Sequence, residues 1–291
     1  MTYVLQQLLN ALQLGSIYAL IALGYTMVYG ILTMINFAHG DLFMVGSFFC
    51  FMSVAFLGLP FIPTLLLSMV GTAFLGVTIE RAAYRPLRQA PRVSAIITAL
   101  GVGLFLENFT LALNPYPKHI PSIIPTTTWV VGSVSFSSLQ VLIIALSLVV
   151  MLLLDVVVRR TMIGMAMRAI SFDRSVVPLM GVPVDFVISV TFAIGTTLGG
   201  VAGVLYGVAY PVIDPYMGIM IGWKAFISAV VGGIGNIRGA MIGAYILGAV
   251  EILVVAFLPS TYRDFVAFAL LLVLLIFRPY GILGKPTVQK V

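Results

Sequence analysis

Charge is what this sequence has least of. Asp, Glu, Lys and Arg together make up 8% of 291 residues, against about 25% in an ordinary soluble domain, and no polar stretch is long enough to form a soluble domain. Cysteine is almost missing as well. Cys50 is alone in an apolar segment, which excludes an internal disulfide and leaves a small packing residue as its reading. Only two histidines occur, His39 and His119, in different loops. With neither an H-E-x-x-H nor a G-x-S-x-G pattern, the chain lacks the usual signatures of a metallohydrolase or serine hydrolase, and no metal site is expected. A nucleotide loop is missing too. The nearest approach, Gly281-Ile-Leu-Gly-Lys-Pro-Thr287, lacks the first glycine at the required spacing and has proline where a Mg²⁺-holding hydroxyl is needed. The chain therefore reads as a non-enzyme with no cofactor of its own, and any ATP and Mg²⁺ it depends on must be bound by another chain.

What is abundant is apolar sequence. Hydrophobic residues reach 61%, well above the roughly 45–50% of soluble domains. Runs this continuous suit helices rather than alternating barrel strands, because bilayer hydrocarbon leaves backbone groups no other partner. The expectation is an all-α membrane protein, a polytopic helical bundle of about eight to ten transmembrane segments in one domain spanning 1–291. Nine segments can be marked, at 12–35, 42–58, 62–79, 93–113, 139–158, 186–208, 222–236, 239–258 and 261–277, the seventh short enough to be a half-helix. The first ten residues lack the basic region of a cleaved leader and are read as mature sequence.

The few charges are arranged. A net charge of +6 would suggest nucleic acid in a soluble protein; here it follows from the positive-inside bias, and no nucleic-acid partner is expected. Placing the loop at 81–92, the island at 159–185, the Arg238 turn and the C-terminal tail in the cytoplasm accounts for twelve of the fifteen basic residues. Nine spans then put the N-terminus outside and the C-terminus inside a bacterial inner membrane. The long loop at 114–138, with four prolines and only Lys118 basic, falls outside.

Three features remain. Gly195, Gly199, Gly203 and Gly207 recur every four residues and make a smooth helix face for close packing. Ionisable residues inside the spans are few, namely Glu107, Lys224 and Glu251, with Asp41 at a segment end. Such groups face a partner or an aqueous path; a Lys224–carboxylate pair is the simplest expectation. The island, with four arginines and two aspartates, divides into two short helical pieces, one at 161–170 and one after Asp173 that ends at Gly181. It is either a rigid knob for a motor subunit or a loop anchoring lipid headgroups. As classes, a carrier, a channel, an enzyme and a scaffold differ in these features, and the sequence physics alone leaves a stand-alone ion-driven carrier open.

Several blocks in order carry a resemblance: Gly15-Ser-Ile-Tyr-Ala-Leu-Ile-Ala-Leu-Gly24, Ile35-Asn-Phe-Ala-His-Gly-Asp-Leu42, Glu80-Arg-Ala-Ala-Tyr-Arg-Pro-Leu-Arg88, Gly164-Met-Ala-Met-Arg-Ala169 with Leu179-Met-Gly-Val182, Val231-Gly-Gly-Ile-Gly235, and Arg278-Pro-Tyr-Gly-Ile-Leu-Gly284. The chain resembles the LivH-type permeases of branched-chain amino acid ABC transporters along nearly its whole length. The resemblance implies import of branched-chain or other small hydrophobic amino acids, with urea or a short amide as an alternative. It also implies a heterodimer with a second homologous permease, two ATP-binding-cassette ATPase subunits inside and a periplasmic solute-binding protein outside. The island becomes an ATPase-coupling loop, with Gly164, Arg168, Ala169, Asp173, Arg174, Met180 and Gly181 as its site residues. Pro178 and Val176-Val177 depart from the family pattern and predict a kinked or shortened second piece. For the substrate pathway the candidates are Asn36, His39, Gly40 and Asp41 in the polar break, with Glu107, Lys224 and Glu251. A polar turn at the cytoplasmic surface is the alternative for the break.

Overall fold

A computed structural model describes residues 2–284 apart from 89, 133 and 175. Lys285 and Lys290 of the basic tail lie outside the described residues. Each of the nine expected segments is a helix: α1 (Thr2–Leu32), α2 (His39–Leu57), α3 (Phe61–Ile79), α4 (Arg92–Leu113), α5 (Ser138–Arg160), α7 (Val184–Ala209), α8 (Met217–Gly232), α9 (Ile237–Phe257) and α10 (Tyr262–Phe277). Between α5 and α7 lies the short α6 (Met162–Phe172). Seven of these helices are long and apolar enough to cross a membrane by length and composition. The other two candidates, α8 and α10, have 16 residues each, a little short of the ~20 that a perpendicular span needs.

The helix ends follow from local chemistry. Ser137 caps α5, its hydroxyl accepting from the Gln140 N–H at 3.1 Å while the Gln140 side chain accepts from the Ser137 N–H at 3.2 Å, a capping box. Asn236 caps α9 by accepting from the Arg238 and Gly239 N–H groups. At the end of α1, Thr33 is left-handed (φ 52°), an uncommon state for a β-branched residue. The chain at 34–38 then runs without regular structure to the start of α2. The polar break is thus displaced from its expected position: His39, Gly40 and Asp41 already belong to the first turn of α2.

α1 is the most buried span and the axis of the bundle, packed by α9, α7, α8 and α5. α4 and α5 are peripheral, with about a quarter of their residues buried. The close crossings use glycine, as the sequence suggests, but the four-residue stripe is not uniform. A Cβ on Gly203 would come within 2.4 Å of the Phe43 carbonyl oxygen, and one on Gly195 within 3.3 Å of the Gly24 carbonyl. At Gly207 only the end of the Ile120 side chain intrudes, and at Gly199 the nearest atom is 3.7 Å away. Other close approaches lie off the stripe. Gly46 meets Gly200, and Gly40 meets Gly218 and Gly222, each closely enough that a methyl group would strike backbone.

Connectivity sorts the two ends of the bundle. At one end collect the helical extension of α3, the island, the Asn236–Arg238 turn and residues 278–284: Arg88 pairs with Asp185, Asn236 donates to the Leu283 carbonyl, and Arg238 approaches Asp155 at 3.7 Å. This is the basic end. The other end holds the loop expected between α4 and α5. It contains a hairpin, β2 (Thr128–Val131) with β3 (Val134–Ser137), and a strand β1 (Lys118–His119) that pairs with β4 (Val212–Ile213) after α7. The Gln6 side chain fastens the hairpin to α1 by donating to the Ser135 carbonyl at 2.8 Å.

Candidate functional site

Three polar assemblies can be built from the candidate residues. The first is the turn opening α2. Gly24 lies about two turns, roughly 12 Å, inside the end of α1. A Cβ there would collide with the His39 ring, so α2 begins deep within the bundle rather than at its basic surface. His39 is fully buried beside Tyr25 (ring centroids 4.8 Å apart). Neither of its nitrogens makes a hydrogen bond of normal geometry, and the Ile21 carbonyl is the polar group acting on it. Asn36 accepts a 2.6 Å hydrogen bond from the Tyr84 hydroxyl. Tyr84 sits at the end of the π-helical extension Glu80–Tyr84 of α3, a local widening often found at functional sites.

Asp41 is the residue of this turn that reaches open space. It lines a cavity of about 200 Å³ together with Glu107 of α4, the rings of Tyr25, Phe37, Trp223 and Phe226, and the small residues Gly103, Gly218 and Gly222. The Asp41 and Glu107 carboxyls line the same cavity and interact electrostatically. Gly40 contributes by letting α8 approach, since its own Cβ would lie 2.3 Å from the Gly218 carbonyl oxygen. Cavity and break are therefore joined through α2.

Lys224 and Glu251 do not belong to that cavity. They form a second assembly with Tyr18 of α1 and Arg263 and Asp264 of α10. Lys224 Nζ lies 3.3 Å from Glu251 and 2.7 Å from Asp264, Arg263 lies 2.5 Å from Glu251, and the Tyr18 hydroxyl donates to Glu251 at 3.1 Å. Two cations and two carboxylates balance here, as the simplest reading of Lys224 has it. The pairing partners Arg263 and Asp264 carry no signal of this role in the sequence, because they open a helix distant in the chain. Glu251 is fully buried, whereas the Asp264 side chain is 46% exposed. Glu251→Gln is therefore expected to cost about 3 kcal/mol, since it removes the partner of the one-third-exposed Arg263 and one of the two carboxylates on the buried Lys224, and Asp264→Asn about 1 kcal/mol or less. Melting curves of the detergent-purified variants check the order.

The third assembly is the island. Thr161 caps α6, its hydroxyl accepting from the Gly164 N–H at 3.1 Å. Gly164 is required there because a Cβ would fall 2.3 Å from the Val157 and Val158 carbonyl oxygens; α6 folds back on the end of α5. Arg168 secures the fold by donating to the Val158 carbonyl. Ala169 takes part through its carbonyl, which accepts from the Asp173 N–H that closes α6. Arg174 turns inward, where burial and then the nearby Arg88 guanidinium lower its pKa while Asp185 opposes them. The expected second helix is only a 3₁₀ turn, Val177–Met180. Pro178 supplies no N–H to extend it, and Gly181, at φ 76°, ends it.

The arginines are not the only exposed side chains of this knob: Arg168 is exposed, and so is a set of apolar residues. Phe172 is 88% exposed and Leu179 85%, with Met162, Met165 and Met180 also exposed. Their apolar character hid them in a sequence that is apolar nearly everywhere. Beneath the knob, Arg88 bridges the fully buried Glu80 and Asp185 (2.5 Å to the latter), Arg85 also pairs with Asp185, and the Ser189 hydroxyl donates to Glu80 at 2.7 Å. The extension of α3 is thus tied to the beginning of α7. Among the described residues no group of His, Cys, Asp and Glu could hold a metal ion.

A multi-pass helical bundle with an inward-starting helix, a polar cavity and a stiff apolar knob at its basic end is a membrane permease. The chain belongs to the family described as branched-chain amino acid transport system / permease component, which it matches over residues 7–275. It is 46% identical to the high-affinity branched-chain amino acid transport system permease protein LivH of Escherichia coli (strain K12), over 99% of this chain and 98% of that protein. LivH of Salmonella typhimurium is 45% identical with the same coverage, and BraD of Pseudomonas aeruginosa, a permease protein of the same description, is 44% identical over 99% and 98%.

Proposed function

We propose that this chain is the permease subunit of an ATP-driven importer for branched-chain or other small hydrophobic amino acids. The observation that carries the reading is the knob, a short helix and a 3₁₀ turn braced by Thr161, Gly164 and Arg168 with an exposed apolar tip, on a chain of this family. An exposed apolar cluster on a braced turn at a bundle end offers the kind of surface that a groove on a motor subunit would bury. Two ATP-binding-cassette subunits would dock at the basic end, which is then cytoplasmic, and would hold the ATP and Mg²⁺. A second homologous permease would complete the membrane unit. A solute-binding protein would deliver substrate at the hairpin end, leaving the N-terminus outside and the C-terminus inside a bacterial inner membrane.

In this reading the Glu80–Arg88–Asp185 bridge carries motion from the knob through α7 and the α3 extension to Asn36 and the start of α2. Reconstitution tests the function. Proteoliposomes holding the full assembly are expected to accumulate leucine only when ATP and the binding protein are both supplied, and this chain alone is expected to move none. Uptake by the chain alone under an ion gradient would replace the importer with a carrier.

A further inference from the structure

The cavity between α1, α2, α4 and α8 has an unmet requirement. Two carboxyl groups, Asp41 and Glu107, face each other in it, and no Lys, Arg or His lines it. Asp41 is 5% exposed and its Oδ1, packed against Gly218, has no hydrogen-bond partner, so the wall of the site carries a buried, unpaired carboxyl oxygen. Facing carboxyl groups inside a low-dielectric bundle either share a proton or hold a cation between them. Lys224, which follows the wall residue Trp223, is committed to Glu251 and Asp264. Whatever neutralises the pair comes from outside the protein.

The remaining walls specify what kind of cation. Tyr25, Phe37, Trp223 and Phe226 form a connected set of rings, with centroids 5.5–6.1 Å apart along Phe37–Trp223, Phe37–Phe226 and Tyr25–Phe226. Aromatic faces favour organic cations and cover apolar chains, and they are poor company for a small metal ion, which asks for several oxygen ligands. A volume of about 200 Å³ is below the roughly 300–1,000 Å³ of drug-sized pockets and suits a short aliphatic chain with one polar head. We propose that this cavity binds the ammonium group of an aliphatic primary amine, with Asp41 and Glu107 supplying the charge and the four rings holding the chain. The proposal deepens the amino-acid import reading and rests on it: the site is then a low-affinity station for the substrate's amino end on its way through the permease.

Equilibrium binding to the purified, nucleotide-free assembly without its binding protein tests this. Radiolabelled isoamylamine and leucine are expected to bind, and 4-methylpentanoate, which keeps the chain and the carboxylate but lacks the amine, is expected not to compete. Glu107→Gln and Asp41→Asn should each weaken amine binding about tenfold or more, the loss of one charge-assisted contact. Trp223→Ala, at a wall residue that is 39% exposed, should weaken it severalfold. No amine binding up to millimolar concentrations, competition by the acid, or undiminished binding in the two carboxyl variants and Trp223→Ala would overturn the proposal. The import reading fails separately: an assembly that binds isoamylamine but accumulates no leucine in proteoliposomes keeps the site and loses the function.

Discussion

Replacing Gly203 with leucine should leave almost no correctly folded protein. The α2–α7 crossing brings the Phe43 carbonyl oxygen to 2.4 Å and the Ser47 N–H nitrogen to 2.8 Å from where a Cβ would stand. The Ser47 hydroxyl also donates to the Gly203 carbonyl at 2.9 Å. Backbone cannot swing aside as a side-chain tip can, so even Gly203→Ala should cost at the upper end of about 1–3 kcal/mol, and leucine more. Gly199→Ala, one turn away on the same face, meets nothing closer than 3.7 Å and should be nearly neutral. Melting temperatures of the three variants in one detergent decide the matter. A similar loss for Gly199→Ala and Gly203→Ala would show that the stripe acts as a whole and that the crossing geometry is wrong.

The second large effect is expected at the knob. Phe172→Asp combined with Leu179→Asp puts two charges on its apolar tip. Both side chains are more than four-fifths exposed, so the bundle itself loses no packing and its melting temperature should hold. Co-purification of the proposed ATPase subunit should fall by more than about tenfold, since one desolvated charge already costs more than the 1.4 kcal/mol that tenfold represents. Arg168→Glu should also impair docking, by a different route: it removes the donor to the Val158 carbonyl and frees α6 from the end of α5. The two routes separate in limited proteolysis, where only Arg168→Glu should make the 159–185 segment easier to cut. ATPase retention by the double aspartate variant would remove the tip from the interface.

Much of this arrangement was legible in the residues. Long apolar runs and the placement of arginines give the helices and gather the basic segments at one end, because hydrocarbon leaves a chain few other solutions. Glycine spacing announces close packing, yet contacts such as Gly46 with Gly200 and Gly40 with Gly218 depend on which helices meet, and spacing within one helix is silent on that. The intramembrane charges were identifiable one by one. Their division into a balanced cluster around Glu251 and an unbalanced cavity at Asp41 was hidden, because Arg263 and Asp264 reach the first and Glu107 the second only through the fold. The island is the clearest difference. Its arginines draw attention in a chain so poor in charge, but Arg168 spends its guanidinium on the Val158 carbonyl, and Phe172 and Leu179 are exposed beside it. Apolar residues carry no signal where most residues are apolar.

The proposal that this chain is one subunit of an ATP-driven importer is tested most directly by what travels with it. The tagged protein would be purified in mild detergent from its own cells and its companions identified by mass spectrometry. A second homologous permease and an ATP-binding-cassette subunit are expected in stoichiometric amounts, both lost when the knob carries Phe172→Asp and Leu179→Asp. A homo-oligomer free of any ATPase, and able to transport when reconstituted alone, would contradict the account.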